Sequence, residues 1–152
     1  MVDVVEPKIR SRMMSGIRGK DTKPEMLVRK ALSAAGYRYR LHRRDLPGAP
    51  DVVMSGRRVA IFVHGCFWHV HSGCKNAKLP STRPDFWRDK LEGNVARDRR
   101  AIESLRADGW RVLIIWECAT RDAVTLATLP EALSRWIADG VPTGEISGTK
   151  PA

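Results

Sequence analysis

The stretch that decides the fold is Val59-Ala60-Ile61-Phe62-Val63-His64, an apolar run that ends in a histidine. An unbroken apolar run of this length is typical of a strand that is buried on both faces. Asp51–Met54 upstream and Trp110–Trp116 downstream are predicted to be further strands, and Ser55-Gly56 is predicted to be the turn of a hairpin. The sequence therefore predicts a central sheet that is covered on both sides.

Helical patterns before and after these strands supply the covering layers. Thr22-Lys23-Pro24-Glu25 is a capping box, and apolar residues then recur at helical spacing from Leu27 to Ala35. A long helix is predicted from Pro84 to Asp108, and a second capping box opens a helix over Thr128–Ala138. With an edge strand at Tyr37–Leu41, the element order predicts an α/β fold with a mixed central sheet flanked by helices.

The composition indicates a single basic domain. A chain of 152 residues suits one core, and 27 Lys and Arg against 17 Asp and Glu give a net charge of +10. This excess favours a polyanionic partner, usually nucleic acid, although solubility alone could also explain it. Residues 1–21 are predicted to be a basic arm, residues 22–139 the globular domain, and residues 140–152 a disordered tail. No apolar run suits a membrane helix or a signal peptide, so we expect a cytosolic protein.

Three cysteines and a histidine predict a metal site. Cys66, His71 and Cys74 follow one another as C-x4-H-x2-C, and Cys118 comes just after the strand that ends at Trp116. Three thiolates and one imidazole make a closed tetrahedral site of the structural zinc type. The alternative is that Cys66 and Cys118 are small buried apolar residues. An unpatterned loop over residues 65–83 gains from a metal to fold around, which favours zinc.

One carboxylate predicts a second, catalytic metal. Asp51 begins one strand of the hairpin and can face the end of the next, an arrangement that holds Mg²⁺ against a scissile phosphate in nucleases. A typical version adds an acidic residue and a lysine on the second strand, here at Phe62 and His64. The acid is missing, but a backbone carbonyl, waters and phosphate oxygens can complete the Mg²⁺ shell.

Four further polar residues have both a catalytic and an ordinary explanation. His64 and His69 have the right unperturbed pKa for a general base at neutral pH, but either could be a hydrogen-bonding histidine or a zinc ligand. Glu25 is explained by its place in the capping box. Asp98 could be a solvated residue of the long helix.

Two aromatic pairs could contact DNA. Phe67-Trp68 lies in the polar loop and Phe86-Trp87 at the start of the long helix. Adjacent helical residues cannot face the same way, so one of Phe86 and Trp87 is predicted to be in the core. Aromatic residues in a basic loop suit insertion between base pairs, but they could equally cover the zinc site.

Several segments resemble the very short patch repair (Vsr) endonucleases. The match runs from about Arg10 to Arg121, and its most specific part is Gly65-Cys66-Phe67-Trp68-His69. The other matching segments are Leu46–Asp51, Ile61–His64, Asn94-Val95, Arg97–Arg100 and Gly109–Cys118. The resemblance implies a restriction-endonuclease-like fold and Mg²⁺-dependent nicking 5′ of the thymine in T:G mismatches, which arise when 5-methylcytosine deaminates.

The resemblance also implies a role for each matching residue. Asp51 and the Val63 carbonyl match the Mg²⁺ ligands, His69 the general base and Asp98 its orienting partner, while His64 and Glu25 match accessory active-site positions. The four zinc ligands match as well. Three residues match the aromatics that intercalate into DNA, and two match an arm that approaches the other groove: Phe67, Trp68 and Trp87, then Met14 and Ile17.

Other function classes stay open at this point. A site-specific nicking or restriction-type endonuclease that needs no mismatch is the main alternative, and a zinc-dependent DNA-binding module without catalysis is a third. The aromatics favour mismatch recognition over the first, and Asp51 with the two histidines favours an enzyme over the second. We expect a monomer that acts on double-stranded DNA in the bacterial cytosol, at the nucleoid, with mismatch-repair proteins as candidate partners.

Overall fold

The computed structural model describes residues 21–148 of the chain. The helices are α1 (Lys23–Ala34), α2 (Pro84–Ala107), α3 (Glu117–Arg121), α4 (Ala123–Ala127) and α5 (Leu129–Asp139). The strands are β1 (Arg40–Leu41), β2 (Val52–Met54), β3 (Val59–His64), β4 (Arg111–Trp116) and β5 (Thr143–Ile146). None of the helices in this part of the chain has both the length and the apolar composition that crossing a membrane requires.

The five strands form one mixed sheet in the order β1-β2-β3-β4-β5. The β1–β2 and β2–β3 pairs are antiparallel, whereas the β3–β4 and β4–β5 pairs are parallel. Strand β3 lies in the middle and pairs with β4 over its full length, from Val59 opposite Arg111 to His64 opposite Trp116. The predicted mixed α/β sheet is therefore confirmed.

Helices cover both faces of the sheet, as the apolar run of β3 predicted. Ile61 packs into one core cluster with Leu32 of α1 and Leu133 of α5. Phe62, which points to the opposite face, packs into a second cluster with Leu105 of α2. Because successive strand residues alternate between faces, both faces of β3 need apolar side chains. The central strand thus holds its carboxyl end, at His64, in a fixed place between two cores.

The prediction that residues 140–152 form a disordered tail is wrong for Thr143–Ile146. These residues form β5, which pairs with the free edge of β4. A side chain at Gly144 would collide with the Trp136 ring, so glycine allows the strand to approach α5. Glycine is disfavoured in strands, which explains why the pattern gave no strand signal. Residues 1–20 and 149–152, including most of the predicted arm, lie outside the described residues.

The first predicted capping box is confirmed in its N-cap hydrogen bond, while the Glu25 carboxylate accepts the Asp21 N–H at 3.1 Å. The Thr22 hydroxyl accepts the Glu25 N–H at 3.4 Å, and α1 begins at Lys23. The second prediction is wrong, because the Thr128 hydroxyl donates back to the Val124 carbonyl at 3.1 Å instead of capping α5. Helix α4 ends directly before α5, and its free carbonyls compete for that hydroxyl.

Candidate active site and metal cluster

Asp51 and Val63 lie together at the open end of the β2–β3 hairpin. The Asp51 carboxylate accepts the Val63 N–H at 2.7 Å. Extending the register from Val52 opposite Ile61 by two residues places Pro50 opposite Val63. Proline has no N–H, so the Val63 carbonyl receives no ladder hydrogen bond from that position. The Asp51 carboxylate and the Val63 carbonyl oxygen thus lie at the same edge, at the open end of the β2–β3 hairpin.

The surroundings of Asp51 suit a bound cation. Burial raises the pKa of Asp51 to about 7, and the nearby Glu25 carboxylate also raises it. The Val63 N–H, His69 and Arg29 act in the opposite direction. A positive ion beside a buried carboxylate favours its charged form, so a cation at this edge would reverse the effect of burial.

His69 and Asp98 form a polarised pair next to Asp51. The His69 Nδ1–H donates to the Asp98 carboxylate at 2.6 Å. With the proton fixed on Nδ1, the other ring nitrogen, Nε2, is left as a proton acceptor. The His69 ring stacks on the His64 ring with centroids 3.8 Å apart and an interplanar angle of 4°. Asp98 and His64 therefore both restrict the position of the His69 ring.

His64 is a neutral group rather than a base at pH 7. It is buried, and burial lowers its pKa to about 3. Its Nε2 lies 4.0 Å from Asp98, farther than the hydrogen-bonded His69. The hydrogen bond to Asp98 and the partial exposure of His69 therefore favour His69 over the buried His64 as the proton acceptor. Both histidines and Asp98 line a cavity of about 630 Å³.

The four predicted metal ligands come together in a second cluster, here called the metal cluster. The ligand atoms of Cys66, His71, Cys74 and Cys118 all lie within 4.8 Å of one another. Two loop hydrogen bonds set the spacing, from the His71 N–H to the Cys66 carbonyl at 2.9 Å and from the Cys74 N–H to the His71 carbonyl at 3.2 Å. The cluster joins the long loop to the carboxyl end of β4.

The metal cluster has the chemistry of a metal site. All three cysteines are free, which excludes a disulfide among them. Burial raises the pKa of the Cys66 thiol to about 12, with the neighbouring Cys118 thiol adding to the effect. Backbone N–H groups of Cys118 and Gly148 point at sulfur atoms, at 3.4 Å and 3.2 Å. Such donors stabilise thiolates, the form that binds a metal.

Trp116 lies between the two sites. Its ring stacks on His71 of the metal cluster, with centroids 4.1 Å apart, and meets His64 edge-on at 5.4 Å. Its Nε1–H donates to the Glu145 carboxylate on β5 at 2.8 Å. The sequence analysis missed both Trp116 and Glu145. Trp116 was visible as the last residue of a predicted strand, but its contacts depend on the register of β3 and β4, and those of Glu145 depend on β5.

The predicted intercalating residues form a half-exposed aromatic cluster of Phe67, Trp68 and Trp87. The three ring centroids lie 5.1 to 5.8 Å apart in edge-to-face contacts. The prediction that Phe86 or Trp87 is a core residue is wrong, because Phe86 is 44% exposed and Trp87 is only partly buried. The Trp68 carbonyl accepts the Asn94 side-chain N–H at 2.9 Å, which ties the cluster to α2.

Glu25 is buried within a charged group that the sequence analysis did not predict. Its carboxylate contacts Arg29 at 3.1 Å and accepts the Asp21 N–H at 3.1 Å. His42 lies 3.4 Å from the same carboxylate. Arg29 follows Glu25 at i+4, which was a visible signal, whereas His42 arrives from the β1–β2 loop. Met14 and Ile17, the predicted arm residues, lie outside the described residues.

Comparisons with known proteins give one consistent family. A family model described as DNA mismatch endonuclease Vsr matches residues 2–76. DNA mismatch endonuclease Vsr of Escherichia coli (strain K12) is 45% identical over 139 residues, which cover 90% of this chain and 88% of that protein. The type II nicking enzyme V.XorIIP of Xanthomonas oryzae is 50% identical over 122 residues, covering 80% and 89%. V.NmeAIP of Neisseria meningitidis, also a type II nicking enzyme, is 38% identical over 141 residues, covering 93% and 100%.

Proposed function

The chain belongs to the family of the DNA mismatch endonuclease Vsr and is a DNA endonuclease, and on this premise we propose that it nicks duplex DNA 5′ of the thymine in a T:G mismatch. The observation that carries the proposal is a juxtaposition within one loop. His69, bonded to Asp98, directly follows Phe67 and Trp68 of the aromatic cluster. The histidine proposed to activate water and the aromatic residues proposed to insert into the DNA helix thus lie in one short segment.

The proton chemistry falls to His69. Its Nδ1–H is held by Asp98 at 2.6 Å, so Nε2 accepts the proton of the attacking water. The stacked His64 ring, neutral because burial lowers its pKa, keeps the His69 ring in place without competing for that proton. Asp98 stabilises the imidazolium that forms when His69 has taken the proton. His64 and Asp98 are therefore positioning residues for His69.

Asp51 and the Val63 carbonyl would hold Mg²⁺. Both are hard oxygen ligands, and Mg²⁺ commonly keeps waters and substrate phosphate oxygens in its other positions. When bound, the ion would neutralise charge on the scissile phosphate. Glu25, buried beside this edge, acts as an accessory carboxylate.

The metal cluster would hold a structural zinc ion. Three thiolates and one imidazole saturate tetrahedral zinc and leave no position for water or substrate, so the ion has no catalytic role. Cys66 and His71 lie on either side of the Phe67–His69 segment. Zinc would therefore hold Phe67, Trp68 and His69 in place, because it would bind the loop on both sides of them.

Mismatch selection follows from the aromatic cluster. Inserting rings into a base step costs a few kcal/mol of unstacking, and less where the pair is already mismatched. His71 has Trp116 as its stacking partner, so Phe67 and Trp68 are not needed to cover that ligand. Phosphate contacts are the same on matched and mismatched duplexes, and the net charge of +10 cannot discriminate between them.

Mismatch-independent nicking is the alternative, because two of the relatives described above are named type II nicking enzymes. The test is the rate of nicking of a T:G duplex and the matched T:A duplex, with and without Mg²⁺, at fixed salt. We expect nicking only with Mg²⁺ and a clear preference for T:G. Equal rates on the two duplexes would establish the alternative.

Replacing one of the aromatic residues proposed to insert into the DNA makes this test more specific. Trp68→Ala is expected to lower the T:G to T:A ratio of nicking rates by about tenfold, which matches the roughly 1–3 kcal/mol of one base–aromatic stack. The control is Val124→Ala, which removes an apolar side chain that is 70% exposed on α4, outside the proposed site. An unchanged ratio in Trp68→Ala would mean that hydrogen bonds to the bases select the mismatch.

The remaining parts of the proposal concern the whole molecule. The fold is proposed to be restriction-endonuclease-like, with residues 22–139 as the core of the endonuclease domain. Residues 1–21, including Met14 and Ile17, are proposed to contact the other groove of the DNA. The enzyme is proposed to act as a monomer on double-stranded DNA in the bacterial cytosol, with mismatch-repair proteins as candidate partners.

A further inference from the structure

Arg29 is the centre of a charged group that links three segments of the chain. Its Nη2 lies 2.6 Å from the Asp21 carboxylate, 3.1 Å from the Glu25 carboxylate and 3.0 Å from His42 Nε2. These four residues are called the Arg29 cluster below. Asp21 belongs to the predicted arm, Glu25 to α1 and His42 to the β1–β2 loop. One guanidinium therefore joins the base of the arm to two parts of the folded domain.

The Arg29 cluster adjoins the candidate Mg²⁺ edge through the backbone of His42. The His42 N–H donates to the Asp51 carbonyl at 3.2 Å, so a shift of His42 would move the residue that carries the metal carboxylate. His42 has a positive φ of 51°, which a residue with a Cβ seldom adopts. Contacts of its side chain with Arg29 and Glu25 help to hold this strained conformation.

Charge explains why an arginine is needed at this place. Asp21, Glu25 and His42 present ligand atoms within 4.8 Å of one another, and the Glu25 side chain is only 4% exposed. Two carboxylates this close repel each other, and the burial of Glu25 strengthens this repulsion, while the Asp21 side chain is 57% exposed. One guanidinium nitrogen, Nη2, faces both carboxylates and His42, so the positive charge of Arg29 offsets the repulsion at the point where the three groups meet. The Arg29 side chain is itself only 11% exposed, so it is not a typical phosphate-binding arginine.

We propose that Arg29 is a positioning residue that couples the arm to the metal site, by holding Asp21, Glu25 and His42 in one arrangement beside Asp51. This inference rests on the proposed function, because it takes Asp51 as the Mg²⁺ ligand and residues 1–21 as the DNA-contacting arm. Arg29 acts through its neighbours and touches neither DNA nor the reacting atoms. Partners that orient metal ligands typically change metal affinity or activity by about 10–100-fold when they are removed.

The test compares Arg29→Met, Arg29→Lys and the control Arg121→Met. Arg121 forms an ion pair with Glu117 at 2.7 Å with the same i,i+4 spacing, but its side chain is 65% exposed. Arg121→Met therefore removes the same charge without touching the Arg29 cluster. We expect Arg29→Met to lower the single-turnover nicking rate by about 10–100-fold and to raise the Mg²⁺ concentration for half-maximal rate. Arg29→Lys should restore part of the rate, because an ammonium group still compensates a carboxylate.

Two further readouts separate positioning from a general loss of structure. Binding of Ca²⁺ to the enzyme–DNA complex, measured by calorimetry, should weaken in Arg29→Met and stay unchanged in Arg121→Met. The double variant with Asp21→Asn should nick no more slowly than Arg29→Met alone, because the two residues act as one unit. Unfolding temperature, measured in parallel, identifies any variant that has simply lost its fold.

The outcomes distinguish this inference from the proposed function. If wild type needs no Mg²⁺ or ignores the mismatch, the proposed function fails whatever Arg29 does. If wild type behaves as proposed but a folded Arg29→Met matches Arg121→Met in rate and Ca²⁺ affinity, Arg29 is a structural ion-pair partner only. Additive losses in the double variant would show that Asp21 and Arg29 act separately, which would overturn the coupling to the arm.

Discussion

The metal cluster and the candidate active site are joined through one loop, which carries His69, but their sets of ligands differ in kind. The metal cluster has four side-chain ligands with three sulfur atoms, packed within 4.8 Å and largely buried. The candidate active site has one carboxylate and one carbonyl that face a metal position, and a histidine pair with Asp98 that lines an open cavity of about 630 Å³. A closed set of ligands suits a structural ion, whereas an open set leaves places for substrate and water. Between residues 63 and 71, residues of the candidate active site alternate with residues of the metal cluster. A metal ion that fixes the cluster would therefore also restrict the movement of the active-site residues.

Cys66→Ala is expected to have the largest effect, because it breaks both sites at once. Loss of one thiolate opens the tetrahedral set, and structural zinc in small domains contributes about 10–16 kcal/mol of apparent binding free energy. Zinc content should fall from one per chain towards zero, and nicking should be lost with it. Metal analysis and a nicking assay measure the two effects.

The control for Cys66→Ala is Lys75→Ala, which changes an exposed residue of the same loop. It should keep zinc and activity. A folded, zinc-free Cys66→Ala protein that nicks at the wild-type rate would show that the two sites are independent, contrary to the shared-loop interpretation.

His69→Ala should break the active site and spare the metal cluster. Removing a general base costs about 10²–10⁴ in rate, while zinc content should stay at one per chain. Because His69 lines an open cavity, added imidazole should restore part of the nicking rate. Single-turnover rates with and without imidazole measure this. A loss of less than tenfold would assign the proton transfer to another group.

The two regions also differ in how far the sequence predicted them. All four residues of the metal cluster were named from the sequence, three from their spacing in one polar loop and Cys118 from its place after the strand that ends at Trp116. Asp51 and Val63 followed from the strand pattern and the resemblance, and Pro50 gives the geometric reason. The i,i+4 spacing of Glu25 and Arg29 was visible in the sequence, but the contact of His42 with them was not, because it depends on a left-handed backbone conformation and on tertiary packing.

Errors in the fold have the same origin. The β5 strand has a weak local pattern, Thr-Gly-Glu-Ile, and is formed because β4 offers a free edge. The prediction that one of Phe86 and Trp87 is buried used a sound rule about adjacent residues, but the first turn of α2 extends beyond the sheet core. In both cases tertiary contacts, which no local pattern contains, decided the result.

Asp51→Asn should stabilise the protein at high pH while it abolishes nicking. Burial raises the Asp51 pKa to about 7 from 3.8, so the folded state holds a proton that the unfolded state releases. Stability is therefore lost as pH rises from about 4 to 7, by up to about 4 kcal/mol, since each pKa unit corresponds to about 1.4 kcal/mol. Asparagine keeps an oxygen that accepts the Val63 N–H, and it does not titrate. The Asp51→Asn variant should therefore not lose stability as the pH rises.

The measurement is the free energy of unfolding in Mg²⁺-free buffer at pH 4 and pH 8, for wild type and Asp51→Asn. The variant should gain stability relative to wild type at pH 8 and show little difference at pH 4. Added Mg²⁺ should stabilise wild type alone at pH 8. Equal pH dependence of the two proteins would mean that Asp51 is not the group that opposes folding above pH 4.

Glu145→Ala is expected to have the smallest effect, and it tests whether Trp116 transmits structure between the two sites. The Glu145 carboxylate accepts the Trp116 Nε1–H at 2.8 Å, and a partly exposed hydrogen bond of this kind contributes about 1 kcal/mol. Trp116 stacks on His71 and meets His64 edge-on, so a freed ring would loosen a metal ligand and a neighbour of His69 together. We expect a nicking rate lowered by about two- to fivefold and faster zinc release to a chelator, because about 1 kcal/mol corresponds to roughly fivefold. Glu145→Gln, which keeps the acceptor oxygen, is the matched control and should resemble wild type. If Glu145→Ala slows nicking without changing zinc release, β5 supports only the active-site cavity, and the two sites are joined by their loop alone.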